Sequence, residues 1–109
     1  MKMNMKKLME QARKLQETML KLQEELAERT VEATSGGGMV KVVANGRQEI
    51  VEIHIDPEVV NPEDVEMLED LVLSAVNEAR RKAAEMAEEE MGKLMGGMGT
   101  GRVPGMGFF

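Results

Sequence analysis

The chain has 109 residues, no cysteine, two phenylalanines as its only aromatics, twelve methionines and a formal net charge of −6. That length bounds it to one domain with a modest core. Methionine fills such a core flexibly but specifies its packing weakly, so completion by a second copy is expected. The lack of cysteine excludes thiol and disulfide chemistry and fits a reducing cytoplasm, while the acidic balance argues against a general phosphate-binding surface.

From Asn4 to about Arg29, apolar residues fall at Met5, Leu8, Ala12, Leu15, Met19, Leu22 and Leu26. The alternating spacing of three and four predicts a long helix with a narrow heptad seam, suited to packing against another long helix. Its charge is polarised. Lys6, Lys7, Arg13 and Lys14 oppose only Glu10 early on, whereas Glu17, Glu24, Glu25 and Glu28 dominate the second half. Positive charge at a helix N-terminus opposes the macrodipole. The early lysines therefore read either as a binding surface or as a solubilising face with i,i+4 pairs such as Glu10–Lys14 and Glu17–Lys21.

After Arg29 the period changes to two. Thr30–Ser35 predicts a strand with Val31 and Ala33 on one face, and Gly36, Gly37 and Gly38 predict a flexible turn. Met39–Ala44 predicts a second strand with Val40, Val42 and Ala44 facing inward. Asn45-Gly46 is a strong hairpin signal of the type I′ kind, in which both positions take positive φ. A two-residue loop there pairs Ala44 with Arg47 and Val40 with Val51, placing Val51, Ile53 and Ile55 on the apolar face and leaving His54 with Glu52 and Ile50 on the other. The expected result is a three-stranded antiparallel meander with two open edges.

Asp56-Pro57 ends the third strand. Asn61 as N-cap with Pro62 at the first position predicts the start of a second long helix. Leu68, Val72, Ala75, Ala79, Ala83 and Met86 form its stripe, widened early by Leu71 and Val76. Arg80, Arg81 and Lys82 are the only basic run outside the N-terminal segment. From Met91 the chain turns glycine-rich and low in complexity. The expected organisation is one α+β domain over 1–95, a long helix, three strands and a long helix, followed by a flexible tail over 96–109.

Catalytic chemistry finds no constellation. His54 stands alone on its strand, Ser35 and Ser74 have no neighbouring base, and the carboxylates lack the His or Cys partners of a metal site. Gly36–Gly38 lacks the Lys and Ser/Thr of a phosphate loop and leads into a strand instead of a helix. No stretch approaches the roughly 18 apolar residues of a membrane span, and the basic opening residues hold no apolar run of signal-peptide length. A soluble protein with no enzymatic activity, cofactor, metal, membrane or small-molecule substrate is expected. What remains is binding, through the basic start of the first helix and Arg80–Lys82. If the two helices pair antiparallel across the sheet, those two sets approach each other.

The order VEATSGGGMVKV, NG, VEI-x-IDP and EMLEDLVLSAVNEA resembles the YbaB/EbfC family of bacterial nucleoid-associated proteins, from about Met5 to the glycine-rich tail. Its most specific stretches are Ser35–Lys41, Ile53–Pro57 and Met67–Ala79. The resemblance implies an α-β-β-β-α subunit, a tweezer-like homodimer with helical arms, and binding of double-stranded DNA in the nucleoid to affect its organisation or gene expression. On charge, the DNA-binding residues would be Lys6, Lys7, Arg13, Lys14, Arg80, Arg81 and Lys82. Gly36, Gly37, Gly38, Val40, Val42, Asn45, Gly46, Val51, Ile53 and Ile55 would build the sheet and the dimer. The competing expectation is a chaperone-like coiled-coil module that grips proteins and binds no DNA.

Overall fold

A computed structural model describes residues 4–96; the C-terminal tail expected from Gly96 onward therefore lies almost wholly outside the described residues. The elements run α1 (Met5–Glu28), β1 (Thr30–Ser35), β2 (Val40–Asn45), β3 (Ile50–Ile55), a single 3-10 turn (Pro57–Val59) and α2 (Val65–Met95). This is the expected α-β-β-β-α order, and the three strands form one antiparallel meander with β2 in the centre. The helical signal persists through Gly92 to Met95, beyond the point where the sequence turns glycine-rich.

The core lies between the sheet and α2. Val40, Val42 and Ala44 of β2 and Ala75, Ala79 and Ala83 of α2 are all fully buried, with Ala33 of β1 beside them. The i, i+4, i+8 alanines let α2 sit close on the strands, so small residues take the place of absent aromatics. Leu68, Leu71, Val72 and Val76 pack around this centre. The helix lies over β1 and β2 and barely reaches β3.

All three glycines of the first turn have positive φ. A Cβ on Gly36 would also stand 3.0 Å from the Leu71 side chain, so a substitution here is strained by conformation and crowds α2 as well. The Ser35 hydroxyl donates to the Leu71 carbonyl at 2.6 Å and ties the same end of β1 to α2.

The second turn differs from expectation. Asn45 N–H donates to the Glu49 carbonyl and Gln48 N–H to the Asn45 carbonyl, each at 2.9 Å, which makes a three-residue loop. Gln48, at φ 65°, takes the left-handed conformation and Gly46 does not. The Asn45 side chain, buried in the turn, accepts from Arg47 N–H (2.9 Å) and Glu49 N–H (3.1 Å), and its amide donates to the Glu49 carboxylate. Gly46 answers a different demand: a Cβ there would lie 2.7 Å from the Leu26 carbonyl oxygen of α1. Its N–H donates to that oxygen at 2.8 Å. The root of α1 is thus docked on the hairpin.

The longer loop moves the register. Val40 pairs with Ile55 and Val42 with Ile53, and a bulge between Val43 and Ala44 sets Ala44 against Ile50. Val51 becomes the extra residue of the bulge, half exposed at 48%, and Ile50, expected on the outer face, takes the inward place expected for Val51. Ile53 and Ile55 do share the face of Val40 and Val42, yet they remain 47% and 38% exposed because α2 stops short of β3.

The start of α2 also differs. Asp64 is its N-cap, accepting from Met67 N–H at 3.2 Å. Asn61 instead closes a preceding turn by accepting from Glu63 N–H. Capping needs a side-chain oxygen two or three residues ahead of a free N–H, and both Asn61 and Asp64 qualify by type.

Candidate nucleic-acid interface

Along α1, only Leu22 and Leu26 of the heptad seam are buried. The helix is attached at its C-terminal end by these two leucines and by an ion pair from Arg29 to Glu90 of α2 at 2.8 Å. Thr18, Lys21, Leu22, Glu90, Lys93 and Leu94 line one shallow cleft, so α1 and the end of α2 run antiparallel there. Beyond that cleft α1 continues without a neighbouring element among the described residues. The radius of gyration, 20.3 Å, far exceeds the about 13 Å of a compact chain this size, and the longest extent is 75 Å.

The two basic sets consequently lie apart. At about 1.5 Å per residue, Lys14 stands roughly 22 Å beyond Arg29 on α1, and Arg81 roughly 13 Å back from Glu90 along α2. The helices do not pair across the sheet, and one chain alone does not bring Lys6–Lys14 near Arg80–Lys82.

Within each set the side chains differ in commitment. Arg13 is held by Glu10 at 3.2 Å and Glu17 at 2.8 Å. Lys6, Lys7 and Lys14 are exposed and have no ion pair among the described residues. On α2, Arg81 is gripped by Glu78 and Glu85. The hydrogen bonds and charge of Glu78, with the charge of Glu85, hold the Arg81 guanidinium well above its ordinary range; the reciprocal bond holds the Glu78 carboxyl below its own. Lys82 donates to the Glu32 carbonyl at 2.8 Å, a strut from α2 to β1. Arg80 alone of the three is exposed without an ion pair among the described residues.

One residue, expected as the ion-pair partner of Glu17, takes a different place, since Glu17 bonds Arg13. Lys21 follows Lys7 and Lys14 at seven-residue spacing, so the three lysines form a row on one face of α1, about 10 Å between neighbours. Lys21 is exposed and has no ion pair among the described residues. The available signal was this spacing, which counting charges along the helix obscures.

Near β3, Ile55, Leu68, Val72, Leu73 and Val76 line an apolar groove whose only charged neighbour is Glu69. Val51, Ile53 and Val65 are exposed nearby in the chain. Among the described residues His54 pairs only with the exposed Glu52, at 2.8 Å. No group of three or more His, Cys, Asp or Glu that could hold a metal occurs among the described residues. No described helix is long and apolar enough to cross a membrane.

The family model described as the YbaB/EbfC DNA-binding family matches residues 1–98. A nucleoid-associated protein of Pelotomaculum thermopropionicum is 59% identical over 103 residues, covering 94% of this chain and 95% of its own. One of Caldanaerobacter subterraneus is 56% identical, covering 94% and 90%. The crystal structure of an uncharacterized protein from Helicobacter pylori superposes with a TM-score of 0.76 at 26% identity, over 87% of this chain and all of that one.

Proposed function

The chain belongs to the YbaB/EbfC DNA-binding family, and from that membership we propose that it is a nucleoid-associated protein that binds double-stranded DNA as a homodimer through its helical arms. The observation that carries this is the projecting half of α1, whose first turns set four basic residues against Glu10 on an otherwise acidic chain. A locally positive rod on a negative body attracts phosphates at one place and repels them elsewhere. The lysines act as point charges, so binding tolerates sequence and weakens steeply with salt.

Lys7, Lys14 and Lys21, with Lys6 beside them, form the contacting row. Arg80 adds a second point on α2. Arg13, Arg81 and Lys82 serve mainly to hold local structure, since each already has carboxylates or a carbonyl in its grip. Dimerisation buries the groove beside β3 and its open edge against a second copy, because an unpaired strand next to exposed Val51, Ile53 and Ile55 is a template for association. Two copies double the number of arms and thus the phosphates reached.

A salt titration of a duplex mobility shift, run beside a solution mass measurement, tests this reading. Wild type is expected as a dimer whose shift weakens linearly in log–log form, and charge reversal of Lys6, Lys7, Lys14 and Lys21 should abolish it. An undetectable shift at low salt, or one indifferent to those reversals, contradicts the site. The bare apolar seam on α1 favours a second reading, a protein-gripping module; suppression of client aggregation with no duplex shift would select it.

A further inference from the structure

The heptad seam of α1 is covered at one end only. Leu22 and Leu26 are 9% and 3% exposed, whereas Leu15 and Leu8 are 45% and Met5 is 63% exposed on the same seam. The outer seam runs past the end of α2 and meets nothing among the described residues. The proposed DNA contact does not use it, because the lysines lie elsewhere on the helix. Taking Met5, Ala12 and Met19 as one seam position and Leu8 and Leu15 as the other, the flanking positions are Met9, Gln16, Gln11 and Thr18. All four are uncharged. Every charged residue of this half, Lys6, Lys7, Glu10, Arg13, Lys14 and Glu17, falls on the three outer positions of the heptad.

That distribution discriminates between occupants. An anionic bilayer favours lysines bordering the apolar stripe, where they reach headgroups while the stripe inserts; here the border is amide, hydroxyl and thioether. A helix of different sequence is usually selected by charges at those flanking positions, and there are none. Two copies of the same segment, by contrast, meet without any like charge at the contact. In an antiparallel pair, Ala12 midway along the seam leaves a small site opposite which a Leu of the other helix fits, so large and small side chains interdigitate.

We propose that the outer half of α1, Met5 to Met19, docks through this seam on the same segment of another copy of the chain, leaving the lysine row of each arm facing outward. Such pairing joins arms and places basic rows on opposite sides of a two-helix rod. It depends neither on the DNA reading nor on the groove beside β3. The outer halves carry like net charge on their far faces, so screening strengthens the pairing as salt rises, the opposite of a phosphate contact.

The chain has no cysteine, which makes a clean test available. Full-length Ala12→Cys and, on the far face, Glu17→Cys are each treated with a short bis-maleimide across a salt series without DNA. The expected result is covalent dimer from the Ala12→Cys chain at several times the yield of the Glu17→Cys chain, maintained or raised by salt. Adding Leu8→Gln and Leu15→Gln to Ala12→Cys should cut that yield several-fold while the helical circular dichroism is unchanged. Equal yields from the two cysteines, or a yield indifferent to the glutamines, overturns the proposal. So does sedimentation of Ala12→Cys with acidic-lipid vesicles that the glutamines abolish while cross-linking stays at the Glu17→Cys level. A duplex shift that persists when cross-linking fails leaves the DNA reading intact, and the converse result separates the two in the other direction.

Discussion

Two parts of this chain carry similar apolar spacing and end in opposite states. On α2, the stripe through Ala75, Ala79 and Ala83 is fully buried against β1 and β2. On α1, the stripe through Leu8 and Leu15 is nearly half exposed, and only its continuation at Leu22 and Leu26 is covered. The body spends its side chains on itself. Two of the three residues of its basic run are committed as well, Arg81 to two glutamates and Lys82 to a backbone carbonyl. The arm leaves both its outer seam and its lysine row without partners among the described residues. A helical pattern thus says that a face is apolar, while the neighbouring elements decide whether that face is core or docking surface.

Substitutions break this contrast in order of size. Val42→Asp places a carboxylate at a fully buried position facing the alanines of α2; it should cost about 4 kcal/mol or more and leave little folded protein in a denaturant titration. Gly46→Ala, whose Cβ collides with the Leu26 carbonyl, is expected to cost about 2 kcal/mol by the same assay. It should also loosen the root of the arm, seen as faster amide exchange near Leu26. Gln48→Gly relieves a left-handed conformation and should add about 1 kcal/mol. Leu8→Gln with Leu15→Gln, measured at a protein concentration too low for the arms to pair, should move stability by no more than about 0.5 kcal/mol, because neither side chain is in the core of the chain itself. A large loss from that pair would mean that the arm is part of the folded body.

The smallest effect is one of pH. Hydrogen bonds from Arg29 and then Lys93 hold the Glu90 carboxyl below its ordinary value of 4.5. A carboxyl depressed in the folded state contributes stability that is present above its unfolded value and lost as pH falls through the folded one. The contact between α1 and α2 should therefore weaken below about pH 4.5, and Glu90→Gln should flatten that dependence in an acid titration of the thermal midpoint.

Much of the architecture was legible because it rests on periodicity. The switch from heptad to alternating spacing after Arg29, the inward faces of β1 and β2, and the α2 stripe all follow from it. The details that were missed come from demands between elements. Asn45-Gly46 reads as a two-residue turn on local grounds, but Gly46 is fixed by the approach of α1, so the loop lengthens and Val51 moves off the core. Asn61 and Asp64 are both competent caps by type, and the helix starts at Asp64. Of the candidate interface, the basic half of α1 was visible as charge. Its isolation from Arg80–Lys82 was not, since that follows from where α1 leaves the sheet. The i,i+4 spacing suggested Glu10–Lys14 and Glu17–Lys21, whereas both glutamates engage Arg13 and the two lysines have no ion pair among the described residues.

The most direct test of the contrast compares duplex binding by two charge-reversed chains across a salt series. One carries Lys7→Glu, Lys14→Glu and Lys21→Glu on the arm; the other carries Arg81→Glu and Lys82→Glu on the body. If the arm is the contacting element, the first should lose binding, with the log–log salt slope shallower by about one for each lysine that meets a phosphate. The second should keep a slope near that of wild type, corrected for any lost stability. Equal losses, or a loss confined to the body variant, would contradict the account.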